Sequence, residues 1–480
     1  MTKEIGITVK KSYDFSDWYT QCVLKASIAD YSPSKGFIVL RPYGYALWEI
    51  VRKILDDILA AKGHKNAFLP VLIPESLLTK EKDHFDGFMP EVFWVTKSGD
   101  SDLSEKLAVR PTSETLAYSM FSKWISSYRD LPLKLNFWNS ALRAEIKSTK
   151  PLIRNSEFLW QEGHTAHIDE NEASEEVKMI LEIYKMIIEE YLAIPTLSGL
   201  KTDKEKFVGA NYTTCLESLM PDGKALQMAT SHHLGQNFSK PFEIKFLDQK
   251  SAERYVWQTS WGISWRVIGA LIMVHGDDKG LILPPKISPT QVIIVPIYKD
   301  AGKETVKQKA NELVKKLQEY NIRSHVDDRD EYTSGWKFND WEMKGVPLRI
   351  NIGLRDIEHN QMELVRRDNK ERFYVKEKDF VNQTLSILES IQSNLFERAK
   401  NYLEINTSTA KTIDQLQSVL DTTGGFVWCS WCGGRECEDI VKEKTGADIR
   451  VVPFDTKKND LPCIACGNKG TVQVYFGRAY

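Results

Sequence analysis

Arg143 and Glu145 stand two apart at the end of the strand-like run 133–143, where alternation puts both side chains on one face. Arg154 closes the polar stretch that follows, Phe158 offers a flat ring, and Arg266 lies just before an apolar helix. Guanidinium forks suit phosphate oxygens, and a ring beneath a second guanidinium makes a slot for a purine. The sequence has no Walker A loop, no dinucleotide glycine fingerprint and no kinase signature set, so a bound nucleotide triphosphate would be held by side chains. Upstream, the run 110–115 (Arg-Pro-Thr-Ser-Glu-Thr) reads on its own as a polar turn before a helix, with Thr112 and Glu114 as a capping pair or an exposed face. By the same reasoning His232 and His233 read as polar groups satisfied in a core, and Lys303 to Lys316 as a solvated helix face.

Five of the seven cysteines fall at or beyond position 429, which is unlike a secreted disulfide framework and like a metal site. Cysteines 429, 432, 437, 463 and 466 offer two tetrads, and four thiolates make a closed structural zinc site. Spacing alone favours the two Cys-x2-Cys pairs, 429 with 432 and 463 with 466.

These residues need elements to hold them. Leu47, Ile50, Val51, Ile54, Leu55, Ile58 and Leu59 recur at helical steps with charged residues opposite, and Gly63 ends the helix they predict. The run 67–74 predicts a strand in which Pro70 marks an edge or crossing, because proline cannot donate to a ladder. Runs 133–143 and 157–167 predict neighbouring strands joined by a long loop. A helix is expected over roughly 173–192, and 262–275 reads as a strand or loop feeding an apolar helix. The proline-rich link 283–289 predicts a domain boundary. Beyond it, strand 291–297, helix 304–320 and strand 322–326 open an α/β domain with parallel strands, continued by a helix over 336–344 and strand 346–352. A long helix from 381 to 403 leads to the cysteine-rich end.

At 480 residues the chain predicts two to four domains. Hydrophobic content of 42 % and charged content of 27 % are ordinary globular values and argue against a disordered, fibrous or membrane protein. A formal charge of −2 exerts no global pull on a polyanion, so RNA contacts would come from local patches. The first residues lack a secretory or transit pattern, and no run approaches the 18 apolar residues of a membrane span, so a cytoplasmic location is expected.

Pro70, the pair Arg143 and Glu145, and the run 262–266 (Gly-Ile-Ser-Trp-Arg) occur in the order of the three motifs of class II aminoacyl-tRNA synthetases. The blocks 110–115, 158–164 (Phe-Leu-Trp-Gln-Glu-Gly-His), 230–238, 335–338 and 476–480 resemble the prolyl-tRNA synthetases, in the branch with a C-terminal zinc-binding domain and no editing insertion. The resemblance covers nearly the whole chain. It implies an α/β and α+β multidomain fold: an antiparallel-sheet catalytic domain over 1–285, an α/β anticodon-binding domain over 286–400 and a small α+β zinc-binding domain over 401–480. It implies a ligase that activates L-proline with ATP and magnesium and transfers it to tRNA(Pro), working as a homodimer.

By the same resemblance Thr112, Glu114, Arg143 and His232 line the proline pocket, with Trp160, Glu162 and His164 around it. Arg143, Glu145, Arg154, Asn155, Phe158, Gln227, Thr230, Ser264 and Arg266 meet ATP, with Phe158 under adenine; Arg143, Glu145 and Arg266 carry the chemistry. The implied zinc set is Cys432, Cys437, Cys463 and Cys466, with Cys429 spare, and the terminal Tyr480 is expected to fold back toward the active site. Glu342, Lys344, Arg349, Arg366 and Arg367 are the expected readers of anticodon bases. Ala144, Ser156, Met228, Ala229 and Trp265 depart from the family pattern and are expected to crowd or loosen the nucleotide site.

Overall fold

The structure, a computed structural model, describes residues 6–82, 91–144, 148–299, 302–456 and 460–480. Glu145 lies outside them. Three sheets organise the chain. The largest has seven strands in the order Lys65–Asn66, Leu133–Leu142, Glu157–His167, Trp257–Ser264, Ala225–Gly235, Tyr212–Leu219 and Leu197–Leu200. All neighbours run antiparallel except the first pair. The expected strands 133–143 and 157–167 pair directly, from Leu133 opposite Ala166 to Leu142 opposite Glu157.

Helix Pro42–Ala61 starts on a proline, whose missing N–H would have no intrahelical partner there, and buries Leu47, Val51, Leu55 and Leu59, the stripe its spacing predicts. It joins helices Phe15–Lys25, Glu170–Met186 and Arg266–His275 in one apolar core against the sheet, with Trp18, Tyr184 and Trp261 among the largest buried side chains. Burying each such side chain is worth about 1.5–3 kcal/mol.

Two expected elements are broken. The run 67–74 is not one strand: Lys65–Asn66 pairs with the large sheet, while Leu72–Pro74 joins a separate three-stranded sheet with Ser101–Val109 and Trp94–Ser98. Pro70, without an N–H, falls in the gap. The helix expected over 173–192 begins at Glu170, capped by the Asp169 side chain, and widens into a π-turn over Ile187–Tyr191.

The second sheet has the order Ser324–Val326, Val292–Ile297, Leu348–Gly353, Gln361–Arg366, Arg372–Lys376. Its first three strands are parallel, as the strand–helix–strand pattern predicts, and an antiparallel hairpin extends it. Helices Lys303–Glu319 and Phe380–Ile405 cover its core, the latter running through position 400. The third sheet, Thr407–Thr409, Phe426–Trp431, Val472–Gly477 and Asp448–Val451, carries the cysteines.

This third sheet is joined to the first. Leu200 and Val452 exchange backbone hydrogen bonds of 2.7 and 2.9 Å, and Ala225 N donates to Arg478 O at 2.7 Å. Among the described residues no helix is long and apolar enough to cross a membrane.

Candidate active site

A cavity of about 670 Å³ opens on the face of the large sheet. Strand alternation builds it. Trp160, Glu162 and His164 point to one face of Glu157–His167, Gln227, Thr230 and His232 come from the strand Ala225–Gly235, and Ser264 ends Trp257–Ser264, with Arg266 opening the next helix. Thr112 and Glu114 reach it from the turn and first residue of helix Glu114–Trp124, so the run 110–115 is a turn before a helix, but its two residues are neither a capping pair nor an exposed face: Ser113 is the N-cap and Glu114 is buried. Arg110 fixes that turn from below, donating to Ser140 O at 2.9 Å and Leu69 O at 2.8 Å. With Arg143, Arg154, Asn155 and Phe158, every described residue expected at the proline and nucleotide sites lines this one cavity.

One end is a closed polar network. Glu162, 1 % exposed, accepts from Thr112 Oγ1 at 3.0 Å, Ser113 N at 3.1 Å, Asn139 Nδ2 at 2.9 Å and the Ser113 hydroxyl, and it contacts His164 Nε2 at 3.2 Å. The one Thr112 hydroxyl proton is shared between Glu162 and Glu114. Burial would raise the Glu162 carboxyl, but the hydrogen bond and charge of His164, with Asn139 and Ser113, hold it well below the carboxylate range. Burial raises Glu114, and the neighbouring Glu162 adds to the rise against the opposing charge of His164. Burial would lower His164, yet its contact with Glu162 and the charge of Glu114 hold it above the usual imidazole value. The result is a His164–Glu162 pair beside a second carboxyl, Glu114, that takes up its proton more readily than an ordinary carboxylate.

His232 differs. Burial, reinforced by His164, pushes it down to about 3, so its ring is neutral. Its nitrogens lie 2.9 Å from Thr213 Oγ1 and 3.1 Å from Thr230 Oγ1, and Phe207 packs on it with ring centroids 4.8 Å apart. The Trp160 indole N–H donates to Asn139 Oδ1 at 2.5 Å, fixing that ring as a wall.

At the other end polar atoms lack partners. Asn155 Nδ2 and Oδ1 and Arg266 Nε are buried without a hydrogen bond among the described residues. Arg266 makes one long contact, Nη1 to Gln227 O at 3.4 Å. Burial, then the charges of Arg143 and Arg154, press it down to about 10, with Glu217 working the other way. The Arg143 guanidinium lies 5.2 Å from the Phe158 ring centroid and 6.0 Å from that of Trp160. Buried groups that can neither pair nor reach water are costly unless a ligand satisfies them, and guanidinium groups that depress one another favour an anionic one.

Residues missed in the sequence complete the site: Thr213, Phe207, Lys201 and Trp261 in the wall, with Asn139 and Ser113 behind it on Glu162. Asn139 carried a usable signal, since 139, 141 and 143 share one strand face; Thr213 did not, because only the register opposite His232 places it. Of the departures, Met228, Ala229 and Trp265 are buried in the cavity wall, and Ser156 ties two segments through its backbone, donating to Gly36 O and accepting from Arg143 N. Tyr480 also lines the cavity; its hydroxyl donates to Asp222 at 2.6 Å and its ring lies 4.8 Å from Lys150 Nζ.

The four sulfurs of Cys432, Cys437, Cys463 and Cys466 lie within 4.8 Å of one another. Tetrahedral zinc with bonds of about 2.3 Å would set sulfurs about 3.8 Å apart, so the set fits that ion with little adjustment. Cys429 points away: its thiol faces Val427 O at 3.6 Å inside the apolar core, and burial pushes it up to about 12.

In the second sheet's domain, Glu342, Arg349, Arg366 and Arg367 line a cavity of about 330 Å³, and Arg349 stacks on Phe338 at 3.9 Å. Lys344 does not line it; its ammonium pairs with Asp340 at 3.0 Å. Two more of the expected readers also have carboxylate partners. Arg366 forks onto Asp368 at 3.0 and 2.8 Å, and Arg367 grips Asp277 of the large-sheet domain at 2.9 and 2.6 Å.

An antiparallel sheet bearing such a cavity, followed by a mixed α/β domain, is the plan of a class II tRNA synthetase. The family model described as the tRNA synthetase class II core domain (G, H, P, S and T) matches residues 93–275, an anticodon-binding domain model matches 291–386, and a prolyl-tRNA synthetase C-terminal model matches 413–480. A proline–tRNA ligase of Cenarchaeum symbiosum is 55 % identical over 99 % of this chain and 100 % of its own length. That of Natranaerobius thermophilus is 51 % identical over 98 % of this chain and 97 % of its own. Proline–tRNA ligase 2 of Bacillus cereus strain ATCC 10987 is 49 % identical over the full length of both. The chain belongs to the prolyl-tRNA synthetase family.

Proposed function

We infer that this chain joins L-proline to tRNA(Pro) in two steps within the large-sheet cavity. The proline carboxylate attacks the α-phosphorus of ATP and pyrophosphate leaves; the 3′-hydroxyl of the terminal adenosine then attacks the acyl carbon of the prolyl-adenylate and AMP leaves. A carboxylate is already a nucleophile, so the site acts by positioning and by stabilising charge on the α-phosphate. The observation that carries this reading is the junction of two unlike surfaces in one cavity: a carboxylate-rich network at one end and cations with unpartnered donors at the other.

Proline presents a secondary ammonium with two N–H donors. Thr112 and Glu114 accept them, with Glu162 and His164 fixing Glu114's surroundings, and Trp160 walls the ring. Arg143, between the two ends, holds the carboxylate against the α-phosphate. Arg154, Asn155, Gln227, Thr230, Ser264 and Arg266 hold the nucleotide over Phe158. Magnesium accompanies ATP and neutralises phosphate charge. The domains divide as 1–285, 286–400 and 401–480. ATP–pyrophosphate exchange across a panel of amino acids tests the reading: proline alone should support strong exchange, and equal exchange with threonine, serine, glycine or histidine would refute it.

Zinc at the four-cysteine cluster is structural, since four thiolates leave no open position. Metal content separates the tetrads: C429S should keep one zinc per chain and C437S should lose it. The working unit is a homodimer. Phe68 and Val71, 83 % and 43 % exposed around Pro70, form an apolar edge beside the large sheet that a second copy would cover. Sedimentation should give a dimer that F68D shifts toward monomer.

A further inference from the structure

Beside the nucleotide end of the cavity lies a charge cluster shared by two domains. Glu217, on the strand Tyr212–Leu219, is fully buried. Its Oε1 accepts from Lys201 Nζ at 2.6 Å and from Arg450 Nη2 at 2.7 Å, and its Oε2 from Arg450 Nε at 3.3 Å. Lys201 also donates to Arg450 O at 3.1 Å. Lys201 lines the cavity, whereas Arg450 belongs to the strand Asp448–Val451 of the cysteine-bearing sheet.

Within 4 Å one carboxylate faces two cations, each at least nine-tenths buried. Glu205, which lines the same cavity, and Asp448 act on Arg450 from farther off. No second carboxylate stands within 4 Å of Lys201 or Arg450 among the described residues. The opening beside the cluster leads to Arg266, which feels both Glu217 and Arg450 and has its own unpartnered Nε. Lys201, Arg266 and Arg450, cations of two domains, thus stand around Glu217 beside the cavity. Docking of the third sheet is tied to the same spot by the paired hydrogen bonds of Leu200 and Val452.

We propose that the C-terminal domain is part of the ATP polyphosphate site: Arg450 is a positioning residue that, through Glu217, sets the Lys201 ammonium at the cavity wall. The inference rests on the reading of the cavity given above and adds a specific residue pair to it. Loss of the C-terminal domain's seating weakens ATP while leaving the Glu162 hydrogen-bond network, which hangs on the strands Leu133–Leu142 and Glu157–His167, as it was.

Steady-state ATP–pyrophosphate exchange by the full-length protein, with KM measured separately for ATP and for proline, tests this. R450A leaves the neutral Glu217–Lys201 pair, and K201M leaves the Glu217–Arg450 pair and with it the docking contact. Both should raise KM for ATP roughly tenfold with KM for proline within about twofold, and R450K should recover most of the loss. Should R450A fold poorly, K201M decides alone. An unchanged KM for ATP in K201M overturns the proposal, as does an equal rise in both KM values in the folded variants, which would mark a merely structural role. Absence of proline-dependent exchange in the unaltered protein would instead remove the underlying reading.

Discussion

The two ends of the large-sheet cavity are built on opposite principles. At the proline end every charged group already has protein partners: Glu162 alone accepts four hydrogen bonds besides its contact with His164. At the nucleotide end Asn155 and Arg266 keep buried donors and acceptors without partners among the described residues. The first end is organised before ligand arrives, so it can discriminate among amino acids by geometry. The second stores unmet hydrogen bonding that only a large polar anion satisfies, so its binding energy is realised with ATP present.

Arg143 sits where the two meet, and removing it should have the largest effect. R143A is expected to lose proline-dependent pyrophosphate exchange by about a thousandfold or more, because both reactants lose a charged partner at the reacting atoms. Near-normal exchange would show that the two ends work independently.

Next in size are changes at the proline end. T112V and E114Q should each raise KM for proline by about 10- to 150-fold, the range of a hydrogen bond to a charged group, with little effect on KM for ATP. E162A removes the hub, leaving His164 and Asn139 without their buried acceptor, and should lower stability by about 3 kcal/mol as well. Urea unfolding of the ligand-free protein measures it.

N155A is the matching change at the other end and should behave in the opposite way. KM for ATP should rise about tenfold, but the ligand-free protein should be no less stable, since the lost amide had no partner to abandon. A stability loss like that of E162A would erase the contrast between the ends.

How far these ends were legible in the sequence follows the same divide between local and non-local signals. Helix Pro42–Ala61 and the strand pair around 133–167 declared themselves by periodicity, and Cys432, Cys437, Cys463 and Cys466 by family pattern, with spacing alone pointing to Cys429 in error. The break at Pro70 was visible as a proline, but not that its two flanks join different sheets. Thr213 and the Lys201–Glu217–Arg450 cluster depend on strand register and on contact between residues more than two hundred positions apart, which no local pattern records. Glu217 did leave a trace, as a lone acid in an otherwise uncharged strand. Arg366 and Arg367 looked like free cations because their carboxylate partners, Asp368 and Asp277, cannot be told from solvent-facing acids without the fold.

The smallest effect is a pH dependence confined to the proline end. Burial and Glu162 raise Glu114, so falling pH protonates it above the ordinary carboxylate range. A neutral acid cannot pair with the proline ammonium, and KM for proline should rise as pH falls through that raised value. The linkage to stability has the other sign. The folded chain binds this proton more tightly than the unfolded chain, so Glu114's contribution to stability is fully present at low pH and is lost as pH rises through the raised value. In that window acid should therefore weaken proline binding without an unfolding contribution from this group, while KM for ATP, set by arginines, stays level. E114Q should flatten the proline profile, and a profile that persists in E114Q would move the titrating group to the His164–Glu162 pair.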